Sequence, residues 1–307
     1  MTHSADRLLK QGIIYYQTNE FTAALQSWQE ALSLYRADRD LRREGAALGN
    51  LGAVYQALGD LGQAIACFGQ HLSVAQQIQD DKGQVNALLN LRNAYLTLGD
   101  SAKASHYHQQ QLALAREMLT KTTAQDFTKM VTMLGLNPIK DFAGANLSGA
   151  NLSSVNLKGV NLQGTILNNA NLKFADLTRA NLRETVLNNA NLSNANLRDA
   201  DLQGADLCNA DMRCLMPRAK LQNANLNGAN LCSAYLPNAD LSSANLSDAI
   251  LQQADLNGAN LNNANFTNAD LSRAELNNVQ VENARFTGAT GLSMTLKQDL
   301  IASGAIF

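Results

Sequence analysis

Two periodicities divide the chain. Up to about residue 120, large apolar residues fall at three- and four-residue spacing, the pattern of amphipathic helices; from Phe142 onward a bulky residue returns at every fifth position. The first pattern itself repeats. Gly12, Tyr15, Ala24, Trp28 and Leu32 recur 40 residues later as Gly52, Tyr55, Ala64, Phe68 and Leu72, and Tyr95, Ala104 and Leu112 continue the series. Asn19-Glu20, Gly59-Asp60 and Gly99-Asp100 break each copy into two helices. Residues 1–120 are therefore predicted to form three helical hairpins, with the fixed Ala letting paired helices approach closely. The third copy departs from the pattern: Arg92 replaces the small Gly52, and His108 stands where Trp28 and Phe68 stood.

In the second region, bulky centres run from Phe142 through Leu147, Leu152 and Leu157 to Met212. A single four-residue step leads to Met216, and the rhythm resumes from Leu221 to Phe286. Of 30 centres, 24 are Leu, and the residue two before the centre is Ala in 23, so one large and one small position recur in fixed register. Five residues advance about 500° on an α-helix, which would scatter the centres over every face. On a strand, an odd period would alternate faces. A solenoid in which each five-residue unit forms an equivalent side points every centre inward. The stretch Thr165–Leu172 returns 20 residues later as Thr185–Leu192, which favours four units per coil.

A solenoid needs its ends covered. Thr122–Leu134 reads as a helix closed by Gly135 and Pro138, and the tail after Gly291 reads as a second cap, with Ser293 as N-cap and Leu296, Leu300 and Ile301 at helical spacing. The expected organisation is a helical-repeat domain over 1–120, a capping helix and linker over 121–137, the solenoid over 138–290 and a C-terminal cap over 291–307. The slip between Met212 and Leu221, which contains Pro217, is expected to form a bulge, a kink or a protruding feature.

The segment LGNLGAVYQALGDLGQAIACFGQHL resembles the tetratricopeptide repeat (TPR), and the 40-residue spacing is similar to the longer variant of kinesin light chains and related scaffolds. In that family the first helix of each pair lines a concave groove. The matching positions here are Lys10, Asn50 and Asn90, with Asn93 one turn further on. An Asn amide donates and accepts together, which suits the backbone of an extended peptide. The family's carboxylate clamp requires basic residues where this chain has Leu9, Asn86 and Asn90. Units such as Ala175-Asp176-Leu177, Ala180-Asn181-Leu182 and Ala200-Asp201-Leu202 resemble the pentapeptide-repeat family. That resemblance implies a right-handed quadrilateral β-helix, so the expected fold class is α plus β-solenoid. The combination of the two repeats is similar to cyanobacterial proteins, one pentapeptide-repeat member of which controls heterocyst differentiation through a protein partner. Other members resemble B-form DNA and inhibit type II topoisomerases.

Charge bears on that choice. The net charge is -2, and residues 138–220 carry nine Lys/Arg against seven Asp/Glu while 221–291 carry two against six, too weak and uneven a field for DNA mimicry. No nucleic-acid partner is expected. Lys158, Lys173, Arg183, Arg198 and Arg213 each follow an inward centre and should point outward. Ile166 and Val186 take the usual Asn/Asp position and, with four units per coil, stack beside Arg183 as a candidate contact patch. The four cysteines form no C-x-x-C pair and read as reduced thiols. The start of the chain lacks a signal-peptide pattern and no run of about 18 apolar residues exists, so a cytoplasmic protein without a membrane span is expected. His106 and His108 diverge by about 200° on a helix and cannot chelate one metal together. No P-loop, dinucleotide fingerprint or nucleophile elbow is found. The sequence thus predicts a non-catalytic protein-interaction scaffold or regulator without cofactor or metal, with a DNA-mimicking topoisomerase inhibitor as the alternative.

Overall fold

The computed structural model describes residues 2–121, 131, 135–137 and 140–307. The chain divides into two compact units, described here one at a time. In the first, α1 (Thr2–Gln17), α2 (Phe21–Ala37), α3 (Leu41–Ala57), α4 (Leu61–Gln77), α5 (Asp81–Leu98) and the part of α6 (Ser101–Lys121) up to Leu114 follow one another as hairpins. The breaks within copies fall where the sequence placed them, on the left-handed residues Asn19, Gly59 and Gly99, and two further left-handed residues, Arg39 and Gln79, separate the copies. Asp40 and Asp60 then start the next helix, each accepting a hydrogen bond from the backbone N–H three residues on.

Ala24, Ala64 and Ala104 are buried at the crossings. Gly12 and Gly52 are required by an interlock: a Cβ on Gly12 would lie 2.4 Å from the Trp28 ring, and one on Gly52 would lie 2.3 Å from Phe68. The third copy replaces the interlock by a polar cluster, in which Arg92 Nη1 lies 3.3 Å from His108 Nδ1 and donates to Gln111 Oε1 at 3.0 Å. Apart from Val131, the expected capping helix over Thr122–Leu134 lies outside the described residues, as does Pro138.

The second unit is a coil of five-residue units. Parallel β-bridges join Asn151 to Asn171, Asn171 to Asn191 and their equivalents, so four units make one coil. The bridges are isolated: among the described residues the unit forms no longer strand, because a turn in every unit leaves a single residue free to pair. The unit Asn171–Ala175 accounts for all its donors. Asn171 N–H reaches back to Ala150 O (2.9 Å), Leu172 N–H reaches forward to Asn191 O (2.7 Å), and Phe174 N–H donates to Ser193 O (3.1 Å). Ala175 N–H closes the turn on Leu172 O (3.0 Å). The remaining donor, Lys173 N–H, is taken by Asn171 Oδ1 at 3.2 Å. That last bond is why Asn or Asp recurs at the bridge position: the side chain satisfies the one N–H that the ladders cannot.

The fourth residue of the unit sits at positive φ, as in Asn169, Asn189 and Asn209. Inside, the Leu centres are buried, and the column ends in stacked Phe266, Phe286 and Phe307. The four-residue step makes neither bulge nor protrusion. It deletes the positive-φ residue of one turn: Cys214 N–H closes on Met212 O, two residues back, where other units close on the third. Bridge spacing drops to 19 for one coil (Asn196 to Leu215) and returns to 20 (Leu215 to Tyr235). At the end, Ser293 caps α7 (Met294–Ala302), with Leu300 buried and Ile301 exposed. The chain then re-enters the coil: Ile306 bridges Arg285 and Phe307 continues the Phe column.

Candidate interaction surfaces

The first helices of the second and third copies, α3 and α5, flank a concave groove of about 460 Å³ floored by α4. Asn50 and Asn90 line it, one repeat apart, together with Asn86. Neither the Asn50 nor the Asn90 side chain has a hydrogen-bond partner among the described residues, so both amides are available to a ligand. Lys10 and Asn93 are exposed but do not line this groove. The walls lie close to backbone level because Gly45, Gly49 and Ala53 of α3 and Gly83 of α5 line them.

His71, to which no sequence motif assigns a role, sits in this floor with 8% of its surface exposed. Gly45 and Gly49 make the space for it: a Cβ on Gly49 would meet His71 Nδ1 at 3.0 Å and one on Gly45 would meet Cδ2 at 3.3 Å. Nδ1 is buried without a partner among the described residues. The Gly pair at four-residue spacing on α3 was the available signal, but its meaning depends on a residue of another helix. Burial pushes the imidazole below its ordinary value, with Asp80 opposing. The native state therefore resists protonation of His71 while the unfolded chain accepts it near 6.5, so this group's stability contribution is present above that pH and lost as pH falls. The melting temperature of the full chain is expected to fall between pH 7.5 and 5.5, and His71→Gln is expected to shrink that difference. An identical pH dependence in the variant would place the titration elsewhere.

On the solenoid, Ile166 and Val186 are bridged one above the other, both partly exposed. Arg183 is engaged with Asp201 at 3.5 Å rather than left free. Similar pairs tie Arg213 to Asp211 (2.6 Å) and Arg218 to Asp199 (2.7 Å) on other faces of the solenoid, so several of its opposite charges neutralise one another. A second bridged apolar pair, Leu215 and Tyr235, is exposed by 49% and 43%, as is Phe174 by 56%. None of these three was singled out from the sequence. Leu215 and Tyr235 stand at the Asn/Asp position directly before the centres Met216 and Leu236, the same departure that marked Ile166.

The family models follow the two periodicities. A tetratricopeptide repeat model matches residues 43–117, a model of pentapeptide repeats in 8 copies matches 141–173 and 175–213, and a pentapeptide repeat region model matches 210–286. The chain carries tetratricopeptide and pentapeptide repeats. No curated protein matches it. Among solved structures, the TPR domain of Arabidopsis FLU is 26% identical, with 35% of this chain and 91% of that one covered and a TM-score of 0.34. HetL, a pentapeptide repeat protein involved in heterocyst differentiation regulation from the cyanobacterium Nostoc, is 33% identical over 48% of this chain and 83% of its own, with a TM-score of 0.21. QnrB1, a plasmid-mediated fluoroquinolone resistance protein, is 18% identical over 54% and 92%, with a TM-score of 0.25. At these TM-scores none of the three bears on function. Among the described residues, no helix of this tetratricopeptide–pentapeptide repeat chain is long and apolar enough to cross a membrane.

Proposed function

We propose that the protein is a non-catalytic scaffold whose TPR groove holds an extended segment of a protein partner. The observation that carries this reading is the pair of unpartnered amides, Asn50 and Asn90, placed one repeat apart on facing walls otherwise lined by Gly and Ala. An extended peptide offers a donor and an acceptor at each residue, and an Asn amide answers both. The full-length chain is tested by fluorescence anisotropy against a panel of extended peptides. Changing Asn50→Ala and Asn90→Ala together is expected to weaken the best binder by roughly tenfold or more, at about 1 kcal/mol per lost hydrogen bond, with unchanged melting. Unaltered affinity would remove the groove from the reading.

Lys10 and Asn93 extend the groove in this proposal, and Ile166, Val186 and Arg183 form a further contact on the solenoid. The 20-residue bridge spacing and four units per coil support a right-handed quadrilateral β-helix over 138–290, flanked by the helical repeats over 1–120, a linker over 121–137 and a cap over 291–307. A cytoplasmic setting and a role in cyanobacterial signalling or differentiation complete the reading. Inhibition of a topoisomerase by DNA mimicry is disfavoured, because the Asp residues of the solenoid's first half are in part neutralised by Arg. Potent inhibition in a gyrase supercoiling assay would reverse that preference.

A further inference from the structure

The shortened turn leaves one rung of the backbone ladder empty. In each coil, the positive-φ residue donates its N–H to the residue after the centre in the next coil: Phe174 to Ser193, Asn194 to Arg213, Ser233 to Gln252, Gln253 to Ser272. The unit Asp211–Cys214 has no such residue, so the carbonyl that it would serve, Cys232 O, receives no backbone N–H among the described residues. On this face the equivalent carbonyls before and after it, Arg213 O and Gln252 O, are paired.

The missing residue also leaves space. A notch of about 420 Å³ opens there, lined by Lys173, Ser193, Asn194, Arg213, Cys232 and Ser233. The two cations differ. Arg213 is held by Asp211 in two bonds, at 2.8 and 2.6 Å, whereas Lys173 has no carboxylate partner among the described residues and lies 5.0 Å over the Phe174 ring. Phe174 is a bulky residue in a left-handed conformation that favours Gly and Asn, and it is exposed. The notch therefore presents one unfilled backbone acceptor and one cation held in no salt bridge, though Asp211 lies within its field, beside the exposed Phe174 ring. An isolated small anion would meet Lys173 but be repelled by the carbonyl. A segment of extended chain satisfies both, its N–H supplying the absent rung and an acidic side chain meeting the ammonium.

We infer that this notch is a second, separate docking site, taking an extended acidic segment of another protein by a single-rung backbone addition to the solenoid. It does not depend on the TPR groove. Binding of fluorescent acetyl-(Glu-Ala)4-amide to the full-length chain is expected, with none for the (Lys-Ala)4 peptide. Alkylation of Cys232 by iodoacetamide, read at that residue by mass spectrometry, is expected to slow when the acidic peptide is bound. Insertion of Asn between Arg213 and Cys214 restores a five-residue unit and fills the rung. It should preserve thermal melting while weakening the peptide at least tenfold, as should Lys173→Gln. The Asn50→Ala/Asn90→Ala protein, altered only in the groove, should bind this peptide normally. The inference is overturned if the insertion variant binds as tightly as the parent. It is equally overturned if inorganic phosphate or free glutamate displaces the peptide at comparable concentration, if Cys232 is not protected, or if no binding occurs.

Discussion

Leu177→Asp is expected to collapse the solenoid, with loss of its cooperative melting transition and the appearance of aggregates. Leu177 has no exposed surface, and its own N–H donates to Asn196 O of the next coil while Leu157 N–H donates to Asp176 O beside it. An Asp there replaces packed methyl groups with a carboxyl that has no partner in an all-apolar column. Removing the Leu contacts alone costs about 2–5 kcal/mol, and burying an unpaired polar group adds about 1–3. Relaxation cannot offset this, since a coil contacts only its neighbours and cannot move its centre outward without breaking ladder bonds on both sides. The matched control is Arg198→Asp, which follows Leu197, the next centre of the same column, and is exposed, so the new carboxylate stays in water. A Leu177→Asp protein that melts like the parent would show that the centres do not form the core.

That prediction rests on the part of the fold most legible in the sequence. A five-residue period with one large and one small position admits only an interior that asks the same of every unit, so the centres and the four-unit coil could be read directly. The Asn/Asp preference could be read as a bond to the turning backbone, although which N–H it serves became clear only from the full donor accounting. Features that depend on three-dimensional neighbours were hidden. His71 is a groove residue because Gly45 and Gly49 of another helix make room for it. The four-residue step showed that one residue of a unit is missing, but not which one, and only the backbone shows that the positive-φ residue was lost and that the turn closes without a bulge. The rung at Ala305–Phe307 follows the small–bridge–large order of every other unit, but α7 separates it from Phe286 by 21 residues and disguised it as part of a helical cap. The groove was legible in part: Asn50 and Asn90 meet there, whereas Lys10 and Asn93 lie off it.

Gly291→Ala is expected to unlatch that final rung. Gly291 has φ +82 and begins the departure from the coil toward α7; a Cβ there would lie 2.3 Å from both the N and the Cα of Ser272. Because the obstruction is backbone of the preceding coil, no rotamer change relieves it. Left-handed strain of about 1 kcal/mol and a backbone clash costing roughly 1–3 more both act on a segment held by few contacts. Gly99 isolates the first effect: its φ is +80, yet a Cβ would meet nothing within 4 Å, so Gly99→Ala should show the strain alone. In the Gly291 variant, α7 and Ala305–Phe307 should detach, releasing the bond from Phe286 N–H to Ile306 O and uncovering the end of the Phe column. Hydrogen exchange should accelerate across residues 282–307 and remain unchanged over 225–246, and the exposed column should bind a hydrophobic dye and promote association. Exchange equal to the parent over 282–307 would mean that the cap is held by something other than this turn. If the cap does open, the Leu ladder is stable only while its last coil is covered, so closure of the end belongs to the core and not to the tail.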